Sequence, residues 1–289
     1  MKYIFIVNPV SGQGKTLDTV KNIKRVCEEE HIDYKVHFTE APGDATNIAR
    51  RYKKERNVIF SVGGDGTLNE VLNGVVGTNN MLGVVPSGSG NDFYRTLSKM
   101  DNPTPLIDVG MVNNRYFINV LSIGMDAEVA KNTDIMKKRK VPKSQIYNAS
   151  IIYTFFKYKF KNIDIDFDDK KLNGKYTLLT VCNGRTYGGG FNIAPNAYLD
   201  DGYFDVYIVD KINKSIIPFL LNKLKTGTHE SNKNVKKFNA TKIKFKSDCE
   251  LVCNVDGEIL IDKKFKIKLI PKALLIYNNK DLIKKFMKR

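Results

Sequence analysis

The chain has 289 residues, 42% of them hydrophobic, and a formal net charge of +16. That length accommodates two ordinary domains, and that apolar content excludes a disordered class. No apolar run approaches the roughly 18 residues that a membrane-spanning helix needs. Asn8, Pro9, Ser11 and Gly12 interrupt the apolar start too early for a signal-peptide core of about 7–15 residues, so Met1 to Val10 is read as a buried first strand. Cys27, Cys182, Cys249 and Cys253 form no C-x-x-C pair and no paired zinc spacing, the pattern of reduced cysteines in a cytosolic protein.

The first 125 residues alternate strand and helix signals. KYIFIVN reads as a buried strand, and Leu17 to His31 as a helix with Val20, Ile23, Val26 and Cys27 on one face. YKVHFTE is a strand, and Asp44 to Lys54 a helix that Asp44 is placed to cap. NVIFSVGG is a strand followed by a helix carrying Leu68, Val71 and Leu72. LGVVPSG is another, followed by a short helix over Asn91 to Leu97. Strands separated by helices imply a parallel, doubly wound α/β sheet.

Beyond Asn113 the pattern changes. RYFINVLSIG, KNIDIDFDD, GKYTLLTVCNG, GYFDVYIVD, ATKIKFKSD, CELVCNVDGEILI and KFKIKLIP are strand-like, with helical interruptions at Ile146 to Phe160 and Lys214 to Leu224. This predicts a mostly antiparallel β-sandwich. The expected division is an α/β domain over 1–125, a β-rich domain over 126–270, and a tail over 271–289. The tail's basic helix, from Asp281 to Arg289, would pack back on the first domain.

Charge follows the same division. Residues 1–125 hold 14 basic and 13 acidic residues, and the remainder holds 33 and 18, a net of +15. A surplus confined to one part suggests a polyanionic partner, with a merely lysine-rich solvated face as the bland alternative. Lys137-Lys138-Arg139-Lys140, with Lys143, is the densest cluster, and FFKYKF over 155–160 mixes aromatics with lysines as an interfacial segment would.

Three glycine-bearing loops carry the chemistry. In VIFSVGGDGTLNEVLNG (58–74), Gly63, Gly64 and Gly66 let backbone N–H groups approach a ligand, and the following helix start favours phosphate. Asp65, at the carboxyl end of a parallel strand, makes sense among phosphates if it engages a metal. Asn8-Pro9-Val10-Ser11-Gly12 follows the first strand, and Pro86-Ser87-Gly88-Ser89-Gly90-Asn91-Asp92 follows LGVV. Together they describe a nucleotide cleft.

NPVSG, GGDGTLNEVLNG and PSGSGNDF, in that order, resemble the diacylglycerol kinase catalytic domain of the bacterial soluble lipid kinases, whose fold sphingosine kinases share. INVLSIGMDAEV (118–129), PNAYLDDGYFDVYIV (195–209) and NVDGEIL (254–260) resemble later blocks of that family, so the likeness covers nearly the whole chain. Ser89 stands where the family commonly has threonine. The resemblance implies ATP as co-substrate, lined by Asn8, Pro9, Val10, Ser11, Gly12, Thr39, Gly63, Gly64, Asp65, Gly66, Thr67, Leu68, Asn69 and Ser89. It implies a magnesium–water network near Asp65, Asp92 and Asp126, and a second, structural magnesium on Asp201 with the carbonyls of Tyr198 and Tyr203. It implies transfer to a lipid hydroxyl, most concretely that of diacylglycerol, with Glu258 or Asp256 as the base and Asp65 the next candidate.

Both carboxylate motifs have a plainer reading as turns, Asp200-Asp201-Gly202 and Asp256-Gly257. An extended segment would put Asp256 and Glu258 on one face, and a turn would separate them. The expected partner is an anionic membrane surface met peripherally from the cytoplasm, rather than nucleic acid, and a homodimer stays open. The rival readings are an NAD kinase, which also uses a GGDGT loop, and a non-catalytic nucleotide-responsive regulator.

Overall fold

The computed structural model describes residues 1–88, 90–99, 106–142, 145–168 and 170–287. Its first part is a parallel sheet of β1 (Tyr3–Val7), β2 (Tyr34–Phe38), β3 (Val58–Gly63) and β4 (Met81–Pro86), ordered β4-β3-β1-β2. Every residue of β1 and β3 is buried, as expected of strands covered on both faces. Helix α1 (Lys15–Glu29) covers one face with Val20, Ile23, Val26 and Cys27. Helices α2 (Asp44–Arg51), α3 (Asp65–Val75) and α4 (Asp92–Ser98) contribute Ile48, Leu72 and Phe93 to the core on the other. Gly83 leaves room for the Phe60 ring, since a Cβ there would lie 2.3 Å from it.

Asp44 does not cap α2. It is the first helical residue, and its carboxylate turns back to accept the N–H groups of Glu40 and Ala41 at 2.8 and 3.0 Å. Gly43, with φ +89°, makes the sharp entry instead.

The second part is a sandwich of long antiparallel strands. It contains β5 (Leu106–Val112), β6 (Arg115–Phe117), β7 (Val120–Gly124), β8 (Asn162–Phe167), β9 (Lys170–Cys182), β10 (Phe204–Asp210), β11 (Val235–Ala240), β12 (Lys242–Val255) and β13 (Glu258–Ile276). Strands β9 and β12 each serve both layers. Their carboxyl halves pair with β7, and their amino halves pair with β8. Alternation sends Phe245, Phe265, Ile243 and Ile267 into the core between the layers and lysines to the outside. Helices α5 (Met125–Lys138), α6 (Ile146–Lys157) and α7 (Ile217–Thr226) lie against this sandwich, α6 packing on α5.

Strand β13 joins the two parts. It leaves the hairpin with β12, pairs with β5, and ends parallel to β4 through Leu275↔Met81 and Ile276↔Leu82. A division at residue 270 therefore falls inside one strand. Helix α8 (Lys280–Met287) then lies against α1, where Asn22 donates to the carbonyls of Lys285 and Phe286 at 2.6 and 2.8 Å. Phe286 is fully buried, edge-on to Phe5 and Phe60 at 5.4 and 5.7 Å. Phe286→Ala should cost about 3–5 kcal/mol of stability. Urea unfolding measures this, and a loss below about 1 kcal/mol would mean that α8 adds little to the first core.

Candidate active site

The loops after β1, β3 and β4 are in mutual contact. A Cβ on Gly12 would lie 2.0 Å from the Ser87 carbonyl oxygen, and one on Gly88 would lie 2.3 Å from Gly64 Cα. Only glycine permits these approaches. Thr16, fully buried, donates to the Ser11 carbonyl at 2.9 Å and lies 3.1 Å from the Ser87 hydroxyl. Asn8 ties the first loop to α3 through Thr67 Oγ1 at 3.3 Å and folds its own loop by accepting from Val10 N–H at 3.1 Å. Thr39 follows β2, its N–H bonded to the Val7 carbonyl at 2.9 Å. Val10 is exposed, while Gly64, Asp65 and Gly66 are half-buried at the start of α3. Ser89 lies outside the described residues.

Asp65 and Asp92 are neighbours in a polar cleft of about 180 Å³ between the two parts. Asp65 accepts the Asp92 N–H at 2.8 Å. Burial, with Asp92 and Asp256 close by, pushes the Asp65 carboxyl up to about 6. Asp92 accepts the Gly189 N–H at 2.8 Å through Oδ2, while its Oδ1 is buried with no hydrogen-bond partner. Burial raises its carboxyl above the ordinary value too.

The Asp256-Gly257 pair forms the tight turn between β12 and β13, both residues at positive φ (+49° and +95°), closed by the Val255↔Glu258 pair. The two carboxylates therefore part company. Asp256 points inward, 7% exposed, and accepts the N–H groups of Ile118, Asn119 and Val120 at 2.8, 3.0 and 3.0 Å and the Asn69 amide at 3.1 Å. Burial raises its carboxyl against the pull of those donors. Glu258 emerges on the other side of the turn, its Oε1 about 3.2 Å from where a Cβ on Gly66 would sit. It thus lies over the phosphate-type loop.

Asn69, expected along the ATP site, is fully buried. Its amide bonds Asp256 and the Tyr116 carbonyl, and its oxygen accepts from Arg115 at 2.9 and 3.1 Å. It joins α3 to the sandwich through these bonds. Leu68 borders the cleft but belongs to the core behind it.

Asp126, in the first turn of α5, lies apart from the other two aspartates. It lines an apolar cavity of about 110 Å³ walled by Met125, Ile151, Leu220, Leu221 and Leu224. Its oxygens make no well-formed hydrogen bond, and burial outweighs the pull of the nearby Ser122 and Tyr187 side chains and of the first N–H groups of α5, pushing the group up to about 6. Tyr187 borders both this cavity and the polar cleft. Among the described residues no group of three or more His, Cys, Asp or Glu side chains converges as a metal site. Asp65, Asp92 and Asp126 are therefore not one direct ligand set. Asp92 Oδ1, which has no hydrogen bond and lies 3.9 Å from Arg95 Nε, and the buried Asp126 oxygens would fit a hard cation reached through water.

The 198–203 loop is held by a residue that the sequence did not single out. Asp108, 1% exposed, accepts the Gly202 N–H at 2.8 Å and the Lys272 N–H at 2.7 Å. Asp201 accepts the Tyr203 N–H at 3.1 Å, while Tyr198 and Tyr203 are about half exposed. Asn183 is likewise buried, bonded to the carbonyls of Asp108 and Ile118. Neither Asp108 nor Asn183 stands in a glycine motif, so nothing local marks them.

Residues 2–123 match the family model described as diacylglycerol kinase catalytic domain, and residues 119–278 match the YegS C-terminal NAD kinase beta sandwich-like domain. A diacylglycerol kinase of Staphylococcus haemolyticus (strain JCSC1435) is 32% identical over 267 residues, 88% of this chain and 81% of the relative. The chain belongs to the bacterial diacylglycerol kinase family. Within that family, the diacylglycerol kinase of Bacillus subtilis (strain 168) is 29% identical, over 88% of each chain. A crystal structure from Bacillus anthracis str. Sterne, described as a candidate diacylglycerol kinase, superposes with a TM-score of 0.77 at 26% identity, covering 97% of this chain and 96% of its own. The α/β domain and the sandwich expected from the sequence are the two domains of this family.

The Asp126 carboxyl gives a pH signature. Its pKa is raised in the fold from the ordinary 3.8 to about 6, so the folded state favours the protonated form. That stabilisation is complete below about 4 and is lost as pH rises through about 6. In magnesium-free buffer, Asp126→Asn should therefore melt above the parent at pH 7 to 8, with the gap closing towards pH 4. A gap independent of pH would contradict the burial of that charge.

Proposed function

We propose that this chain transfers the γ-phosphoryl group of ATP, with magnesium, to the free hydroxyl of diacylglycerol, giving phosphatidic acid and ADP. The observation that carries the proposal is a junction. A polar cleft holding Asp65 and Asp92 meets an apolar cavity along Tyr187, and Glu258 overhangs Gly66 nearby. A lipid with a polar end and hydrocarbon chains needs both environments side by side.

In this reading, the loops at Asn8 to Gly12 and Gly63 to Thr67, with Ser89, hold the triphosphate, and Thr39 borders the nucleotide. Backbone N–H groups and the start of α3 meet the phosphates. Asp65 and Asp92 would hold magnesium through water, with Asp126 at the far side, and the cation would neutralise charge on the transferring phosphate. Asp201, with the carbonyls of Tyr198 and Tyr203, would hold the second, structural ion. Glu258 takes the proton of the lipid hydroxyl as the new O–P bond forms and the bond to ADP breaks. Asp256 positions Glu258 and touches no reacting atom. The acyl chain lies in the cavity behind Asp126.

The protein would act peripherally on an anionic membrane from the cytoplasm. No described helix is long and apolar enough to cross a bilayer. On the exposed face of the sandwich Lys242, Lys244 and Lys246 stand directly opposite Lys268, Lys266 and Lys264. Asp166 and Asp164 of β8 stand opposite Lys244 and Lys246 and offset part of this charge, and the surplus lysines would favour an anionic surface.

The test is transfer of label from γ-labelled ATP to a panel of dioleoylglycerol, sphingosine, a polyprenol and NAD. Magnesium-dependent label in phosphatidic acid, in preference to the other acceptors, is expected. Label in the phosphorylated dinucleotide alone would establish the NAD kinase reading, and no label in any acceptor would favour a regulator.

A further inference from the structure

Helices α6 and α7 wall the apolar cavity from one side, through Ile151 and through Ile217, Leu220, Leu221 and Leu224. A helix that covers a core ordinarily turns polar residues outward. These two do not. Ile152 and Phe156 on α6 are 60% and 75% exposed, and Ile216 and Phe219, at the start of α7, are 39% and 58% exposed. Four large apolar side chains thus face solvent on the outer surfaces of two helices whose inner surfaces line one cavity. Phe155 and Tyr158 turn inward beside Leu220 and Leu221, so α6 and α7 meet in a single apolar cluster.

The charge on these two segments has one sign, although Lys161 is paired with Glu128 of α5 at 3.1 Å. Residues 145–161 and 211–229 contain no Asp or Glu, and they carry Lys157, Lys159, Lys161, Lys211, Lys214, Lys223 and Lys225. The Lys223 ammonium lies over the Phe219 ring at 5.1 Å, a cation–π contact. The densest basic cluster of the sequence is less free. Lys137 is paired with Asp134 at 2.8 Å, Arg139 lies over the Tyr153 ring at 5.2 Å, and Lys143 falls outside the described residues.

We infer that Ile152, Phe156, Ile216 and Phe219 form a lip that inserts into an anionic bilayer, so that an acyl chain passes from the membrane into the cavity without crossing water. The inference rests on the proposed lipid substrate and names the surface through which that substrate enters. Exposed aromatics beside lysines match the layered polarity of a headgroup region, apolar below and anionic above. A second copy of the chain suits the surface poorly, because a self-complementary contact would set these lysines against one another. A polar, groove-bound partner such as nucleic acid gains nothing from burying Ile152 and Ile216.

The chain contains no tryptophan, so Phe156→Trp and Phe219→Trp each create a single reporter. Each variant is mixed with vesicles of equal parts phosphatidylcholine and phosphatidylglycerol carrying brominated acyl chains, without diacylglycerol or ATP. Blue-shifted, bromine-quenched emission is expected at both positions, with none for Phe38→Trp on the edge strand β2. Paired replacement Phe156→Ser/Phe219→Ser should weaken vesicle binding roughly tenfold for each phenylalanine. The same pair should leave phosphorylation of dispersed dioctanoylglycerol unchanged. Vesicle binding with both reporters still in water would overturn the lip, as would absence of vesicle binding, or a dimer that the serine pair dissociates. Insertion without any lipid phosphorylation would leave the lip standing and sink the proposed reaction instead. Phosphorylation of dispersed substrate without insertion would do the reverse.

Discussion

The carboxylate of Asp256 accepts hydrogen bonds from Ile118, Asn119 and Val120 and from the side chain of Asn69. These donors belong to two distant stretches of chain, the strand crossing into the sandwich and helix α3 of the α/β domain. A buried carboxylate costs several kcal/mol unless its oxygens are satisfied, so this arrangement exists only when both stretches are in place. It fixes the β12–β13 turn against α3. Glu258, two residues on, is thereby set over Gly66. The geometry of the junction between the two parts follows from that constraint, and the single strand β13 carries it into both cores.

Around this anchor the acidic groups are kept in different surroundings. Asp65 and Asp92 share a polar cleft, Asp126 lies in apolar walls, and burial raises all three above the ordinary carboxylate value. Such carboxylates gain from a cation, which restores the favourable surroundings that burial removed. That preference is the physical reason for proposing that a cation meets them through water, and Asp92 Oδ1 and both Asp126 oxygens are buried without a well-formed hydrogen bond.

Much of this was legible in the sequence, because glycine and periodicity report backbone geometry directly. Gly12, Gly63, Gly64 and Gly88 marked loops that do pack against one another, and the β1 and β3 runs announced buried parallel strands. What the sequence could not give were partners far along the chain. Asn69 sits in the motif that by resemblance lines the ATP site, and its side chain is held by Arg115 and Asp256, 46 and 187 residues away. Asp108 reads as an ordinary strand residue until Gly202 and Lys272 are brought to it. Asp44 had the right type and place for a cap, but the preceding glycine turn drew its carboxylate backwards. The Asp-Gly pair at 256–257 reads as a turn in the sequence, and only the fold shows that this turn separates an anchoring carboxylate from a half-buried one over Gly66. The cavity, built from residues of three helices and several strands, has no local signature at all.

The division of labour between those two carboxylates is the centre of the account, and Glu258→Gln tests it most directly. Its kcat on dispersed diacylglycerol, its ATP affinity and its melting temperature are measured together. A group that only accepts a proton in the chemical step should, on replacement, lower kcat by about 10²-fold or more while ATP affinity and melting temperature stay at the parent's values. A kcat within about twofold of the parent would contradict the account and return the proton to Asp256 or Asp65.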